Sequence, residues 1–265
     1  MENALIHQIA RSHIYDLAQP IDRQMPVHHT HPPYLLSLVR RYGDYVRDGN
    51  CSGATEIIMM SGHHSTHIDA PGHMSVNGQL HGGGSAAETA KGGAGLRSHG
   101  IDQVLPVVTR GVLLDVPLVL GRMLEAGEAI ETRHLAAAAD AAKVAIEPGD
   151  AVLIRTGWIR HWTDPHTFSG ETDGSPGPVL EAAKWLVQEG MQLTGSDTMV
   201  YELTTPNTSA LPVHGYLLVD EGISIMEMLN LEELARDQVY EFLFVVAPLR
   251  LIGGTGSPIR PLALT

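Results

Sequence analysis

The segment His63-His64-Ser65-Thr66-His67-Ile68-Asp69-Ala70-Pro71-Gly72-His73 sets four histidines and a carboxylate within eleven residues. Imidazole and carboxylate are the side chains that hold divalent metals and move protons near neutral pH. Along an extended segment alternate side chains share a face, so His67 and Asp69 point the same way. A bend at Ser65-Thr66 lets His63 join them, and Pro71-Gly72 ends the run and re-aims His73 towards the same point. The spacing predicts three ligands, His63, His67 and Asp69, with His73 left free for acid–base work. Dense histidine tracts also bind metal without catalysis, so a non-catalytic metal-binding module is the competing expectation.

A second segment, Leu211-Pro212-Val213-His214 followed by Ile223-Ser224-Ile225-Met226-Glu227, places a histidine at the start of an apolar helical stretch and an acid at the end of a short apolar strand. A buried acid costs free energy unless it is paired or metal-bound. The residues alone fit a second ligand pair and equally a helix-terminal histidine with a surface glutamate. Gly253-Gly254-Thr255-Gly256-Ser257-Pro258 has the composition of an anion-cradling loop, but a structural turn explains it more simply.

These residues need elements to position them. Residues 14–17 read as a short strand, and 34–47 as a helix with Leu35, Leu38, Val39, Tyr42 and Val46 on one side. Glu56 to Met60 reads as a buried strand running into the histidine cluster. The glycine-rich stretch 77–97 reads as a mobile loop able to cover a site. Strands are expected at 112–116, 151–155, 191–194, 223–226 and 241–247. Helices are expected at 132–144, capped by Thr132, and at 178–189, ending at Gly190. Strands and helices mixed along the whole length, with no linker and no repeat, indicate one α/β domain over 1–265.

The chain has 265 residues, 43% hydrophobic and 18% charged, which suits a folded protein with a sizeable core. A net charge of −13 argues against nucleic acid and anionic membrane surfaces. The single cysteine, Cys51, excludes an intramolecular disulfide and a multi-cysteine zinc site. Neither a signal-peptide pattern nor an apolar run of membrane-spanning length is seen, so a cytoplasmic location is expected. There is no G-x-S-x-G elbow, no phosphate-binding G-x-x-x-x-G-K-[ST] loop and no G-x-G-x-x-G run. His28, His29 and His31 fall in a Pro-flanked run that reads as loop.

Taken together, the chain resembles the cyclase-like metal hydrolases that include bacterial kynurenine formamidase and isatin hydrolase. That family's H-x-G-T-H-x-D-x-P-x-H signature stands here as His63-x-Ser65-Thr66-His67-x-Asp69-x-Pro71-x-His73. Tyr15-Asp16-Leu17, Arg155-Thr156-Gly157-Trp158, Pro212-Val213-His214 with Glu227, and Gly253 to Pro258 look like further landmarks in family order. The longer members, isatin hydrolase and related lactam hydrolases, look most similar. Ser65 departs from the usual glycine, and serine is strained there if the position needs φ > 0. Met74 replaces an aromatic residue common in kynurenine formamidases.

The resemblance implies a β-barrel-like mixed sheet flanked by helices, of the swivelling β/β/α kind. It implies a divalent ion, Mn²⁺ or Zn²⁺, on His63, His67 and Asp69. His214 and Glu227 would complete the shell or hold a second ion, and His73 would shuttle a proton. The reaction implied is opening of a small cyclic amide, isatin-like or a lactam, with a lactone or N-formylkynurenine as the alternatives. A homo-oligomer, dimer or tetramer, is also implied. The substrate contacts are left open: Tyr34, Trp158 and the 77–97 loop are candidates, but each reads more simply as core or cover than as a specific contact.

Overall fold

The computed structural model describes residues 2–206 and 209–265. Nine strands form one mixed sheet: β1 (Ile14–Asp16), β2 (His67–Asp69), β3 (Val107–Asp115), β4 (Ala151–Arg155), β5 (Leu193–Ser196), β6 (Ile225–Glu227), β7 (Glu241–Val246), β8 (Gly256–Pro258) and β9 (Leu262–Leu264). Their order across the sheet is β1-β9-β7-β3-β4-β5-β6-β2-β8. Strands β3 to β6 are parallel to one another, and the flanking pairs are antiparallel. The sheet curls into the barrel-like core that the resemblance implies.

The parallel centre is apolar because both of its faces are covered, as parallel sheets require. Val112, Leu114, Val152 and Ile154 alternate onto one face, under helices α1 (Thr132–Ala142) and α2 (Leu180–Gln188). Leu113, Ala151 and Leu153 alternate onto the other, against Phe242 and Phe244 of β7 and Leu229, Leu231 and Leu234. At the end of β4 the Arg155 guanidinium meets Asp115 at 2.8 Å and Glu232 at 2.8 Å, so this buried cation is paired. Among the described residues, no helix is long and apolar enough to cross a membrane.

Several expected elements differ. Residues 34–47 are not a helix. Leu35–Arg40 and Thr55–Met59 pair as antiparallel strands, Leu35 opposite Met59, and the chain turns at Gly43 with φ 87°. Hydrophobic periodicity reports a helix only where one face is buried. Here Leu38, Val39, Ile57, Ile58 and Met59 are all exposed, so the arm stands off the main sheet and Glu56 to Met60 is not buried. Helix α1 begins one residue early: Glu131 is the cap, its N–H donating to His134 Nδ1 at 3.1 Å. The strands expected at 191–194 and 223–226 lie about two residues later than read, at β5 and β6.

Candidate metal centre

Strand β2 places the cluster. It lies between β6 and β8, in a register that sets His67 opposite Glu227 and Asp69 opposite Gly256. The alternation that puts His67 and Asp69 on one face therefore also brings Glu227 to that face. His67 Nδ1–H donates to the Ser65 carbonyl at 2.9 Å, which turns Nε2 towards Asp69 Oδ1 (3.4 Å) and Glu227 Oε2 (3.2 Å). His63 arrives from the preceding turn with Nδ1 2.6 Å from Asp69 Oδ1 and Nε2 2.8 Å from Thr255 Oγ1. Gly256 makes room for that ring, because a Cβ there would lie 2.5 Å from His63 Cε1. Ser65 adopts φ 55°, and its hydroxyl lies within hydrogen-bond reach of the Gln19 and Pro20 carbonyls (3.0 and 3.2 Å).

His214 comes from the other side, on the helical turn Pro212–His214. Its Nε2 lies 3.2 Å from Glu227 Oε1 and 3.8 Å from Asp69 Oδ2. The ring is held by Glu202, which sequence reasoning missed: its carboxylate accepts from His214 Nδ1 (2.8 Å) and from the backbone N–H groups of His214 (2.7 Å) and Val213 (3.0 Å). A carboxylate orienting an imidazole is a common second support of metal ligands. Thr255 does the same for His63, so the Gly253–Pro258 segment is a turn and strand that steadies the site.

Two groups of donors result, His63–His67–Asp69 and Asp69–His214–Glu227, each with its ligand atoms within 4.8 Å of one another and all buried. Asp69 is shared between them. Its Oδ2 is buried without a hydrogen-bond donor, which is costly for a carboxylate unless a cation fills the position. The donor chemistry therefore fits a divalent ion. The electrostatics agree. Burial opposes charge on His67 and His214, yet Asp69 and Glu227 for the first, and Glu202 and Glu227 for the second, push each up to about 10. Burial would raise Glu227, but His214 and His67 bring it down to about 2. Asp69 is likewise held well below the usual carboxylate range, against its burial, by His73 and His63. Protons on the imidazoles balance the carboxylates where an ion would sit.

His73, on the single turn Pro71–His73 after β2, stacks beside His63 with ring centroids 4.1 Å apart and belongs to neither donor group. Burial lowers its pKa. It lines a cavity of about 160 Å³ together with His63, His67, His214 and Glu227. The walls of that cavity correct the expectation about cover. Among the described residues they are His28, Thr30, His31, Met199, Val200, Leu211 and Met228, not the 77–97 stretch. That stretch instead packs Gly95 and Leu96 on Gly253, and His81 donates to the Val219 carbonyl at 2.9 Å. Tyr34 is not in the lining, and Trp158 is core, its Nε1–H donating to Phe168 O at 3.0 Å. The loop reading of 28–31 holds, but its place over the cavity had no sequence signal beyond histidine itself.

A family model described as "putative cyclase" matches residues 15–202, and the chain belongs to that family. Isatin hydrolase from Roseibium aggregatum is 32% identical over 127 residues, which are 45% of this chain and 46% of that protein. The match thus spans about half the length of the curated relative. A crystal structure described as a novel cyclase superposes with a TM-score of 0.88 at 30% identity, over 99% of this chain and 92% of that one. Isatin hydrolase A from Ralstonia solanacearum gives a TM-score of 0.76 at 24% identity, over 100% and 97% of the two chains, and shares the fold. So does a protein from Bacillus stearothermophilus described as a "predicted metal-dependent hydrolase", with a TM-score of 0.62 at 22% identity over 96% and 98%.

Proposed function

We propose that the protein is a hydrolase dependent on a divalent metal, Mn²⁺ or Zn²⁺, that opens a small cyclic amide. His63, His67 and Asp69 are its ion ligands. His214 and Glu227 complete the shell or hold a second ion, and His73 is the proton shuttle. The observation that carries this reading is the convergence of two donor groups on Asp69, whose Oδ2 has no donor, beside an imidazole that stays outside both groups. When bound, such an ion acidifies a water and polarises a carbonyl.

The chain's own residues supply the rest. Thr255 and Glu202 fix the His63 and His214 rings, so the donor atoms need not reorganise when charge develops. His73, kept neutral by burial at neutral pH, can take the proton of the attacking water and pass it to the leaving nitrogen. The C–N bond breaks, the water oxygen stays on carbon as carboxylate, and the nitrogen leaves protonated. The cyclic-amide substrate is supported by the isatin hydrolase relative. A lactone or a formamide could be attacked in the same way.

The test is ring opening of isatin, a bicyclic γ-lactam, N-formylkynurenine and a dienelactone by apoprotein refilled separately with Mn²⁺ and Zn²⁺. Ion-dependent opening of isatin or the lactam is the expected result. Opening of only the formamide or the lactone would reassign the substrate. Tight ion binding with no opening of any of the four would favour the non-catalytic module. A homo-oligomer is part of the same proposal. Its support is the apolar arm of Leu35–Arg40 and Thr55–Met59, exposed on a two-stranded hairpin that is marginal by itself. Light scattering that reports a monomer would remove it.

A further inference from the structure

We propose that the metal cavity is the inner half of a two-chamber site, whose outer groove takes a neutral hydroxyl- or amide-bearing arm attached to the substrate ring. This rests on the hydrolase reading and narrows its substrate class.

Size is the first argument. The inner cavity, about 160 Å³, is close to the ~150 Å³ that holds one benzene ring. A substrate larger than a single ring has to project out of it. The outward direction is set by a second cavity of about 570 Å³, bounded by four of the same residues, His28, Thr30, Val200 and Leu211. A ring seated against His73 and Glu227 therefore has its substituents directed past Thr30 and Leu211 into the outer groove.

Chemistry is the second. Besides His28, the ionisable side chains lining the groove are His29 and Glu171, and these are joined to each other, Nδ1 to Oε1, at 3.0 Å. The groove's one carboxylate is thus already hydrogen-bonded, and among the described residues no lysine or arginine lines the groove to bind an anionic arm. The groove offers hydroxyls instead. Those of Thr30, Ser169 and Thr204 are engaged within the chain, by His28 Nδ1, the His166 carbonyl and Ser175 respectively. Those of Thr205 and Ser209 have no partner among the described residues. Val200, Pro206 and Leu211 supply apolar surface for the carbon chain of the arm.

The experiment compares three compounds on one ring, the best substrate of the panel: unsubstituted, with a short dihydroxylated chain, and with a chain of equal length ending in carboxylate. The dihydroxylated compound should show KM about tenfold below the parent with kcat little changed, the worth of one or two new hydrogen bonds. The carboxylate should show no such gain. In the Thr205→Val, Ser209→Ala double variant the advantage of the dihydroxylated arm should vanish, with the parent ring as reference in each protein. A parent ring that is opened while the neutral arm brings no advantage, or an advantage that survives in the variant, overturns the two-chamber site and leaves the hydrolase reading standing. If no ring is opened, the hydrolase reading falls. Calorimetric binding of the three isatin derivatives then decides the groove: tighter binding of the neutral arm, lost in the variant, upholds it, and equal binding overturns it.

Discussion

Glu202 accepts a hydrogen bond from His214 Nδ1 at 2.8 Å and, through the same carboxylate, two more from the backbone N–H groups at the start of that helical turn. The acid thereby fixes both the ring and the turn that carries it. It leaves His214 Nε2 aimed between Glu227 and Asp69. Glu202→Ala should lower kcat about 10- to 100-fold, the usual cost of losing a carboxylate that orients a metal-site imidazole. Glu202→Gln keeps an acceptor and should recover part of the loss. An alanine variant with unchanged kcat would show that the turn holds His214 without help.

His73 should separate from the ligands when it is removed. It lines the cavity but stands outside both donor groups. His73→Ala is expected to bind as much Mn²⁺ or Zn²⁺ as the parent does, measured by metal analysis after dialysis, and to lose at least 100-fold in kcat, within the range that general acid–base catalysis contributes. Loss of the ion in this variant would move His73 into the shell. His67→Ala should instead lose the ion.

Ion uptake should expel protons. In the ion-free protein His67 and His214 each titrate at about 10 and are protonated at pH 7. A cation that takes their Nε2 lone pairs must displace those protons, so apparent affinity should rise about tenfold per pH unit for each proton released. Calorimetry in buffers of different ionisation enthalpy counts them. A heat independent of the buffer would mean that the imidazoles are neutral before the ion arrives.

The same groups set how the ion-free protein responds to pH. For His67 and His214 the folded value, about 10, lies above the ordinary 6.5. Their contribution to stability is full below 6.5 and is lost as pH rises towards 10. For Glu227 the folded value, about 2, lies below the ordinary 4.5, so its contribution is full above 4.5 and is lost as pH falls through 2. The melting temperature of the apoprotein should therefore peak between about pH 4.5 and 6.5 and fall on both sides. The ion-loaded protein, in which the cation replaces the protons, should stay stable further into the alkaline range. An apoprotein whose melting temperature climbs steadily from pH 6 to 9 would contradict this charge arrangement.

The part of the site that could be read from the sequence is the part whose geometry is local. His67 and Asp69 share a face because β2 has the period of a strand, and His63 and His73 follow from the turns on either side of it. His214 and Glu227 were legible only through the resemblance, because nothing local distinguishes a buried acid at a strand end from an exposed one. Glu202 and Thr255 were not legible. They act across 12 and 192 residues of chain, and no spacing rule links them to the histidines they hold. The central strands were legible because burial on both faces makes them continuous apolar runs. The Leu35–Arg40 arm failed for the opposite reason: its apolar residues cover no core, so their spacing carried no information about period.

Ser65 gives the sharpest local test. It holds φ 55°, a conformation that suits glycine, and its hydroxyl reaches the Gln19 and Pro20 carbonyls at 3.0 and 3.2 Å. The hydrogen bond and the backbone strain oppose each other, at roughly 1 kcal/mol apiece. Ser65→Gly removes both, so its stability should stay within about 1 kcal/mol of the parent. Ser65→Ala keeps the strained backbone and loses the hydroxyl, and should cost about 1–2 kcal/mol. A valine there, β-branched and forced into the same left-handed region, should cost more than alanine. Urea unfolding of the ion-loaded variants measures all three. If alanine proves as stable as serine, the hydroxyl does not offset the strain, and Ser65→Gly should then be more stable than the parent.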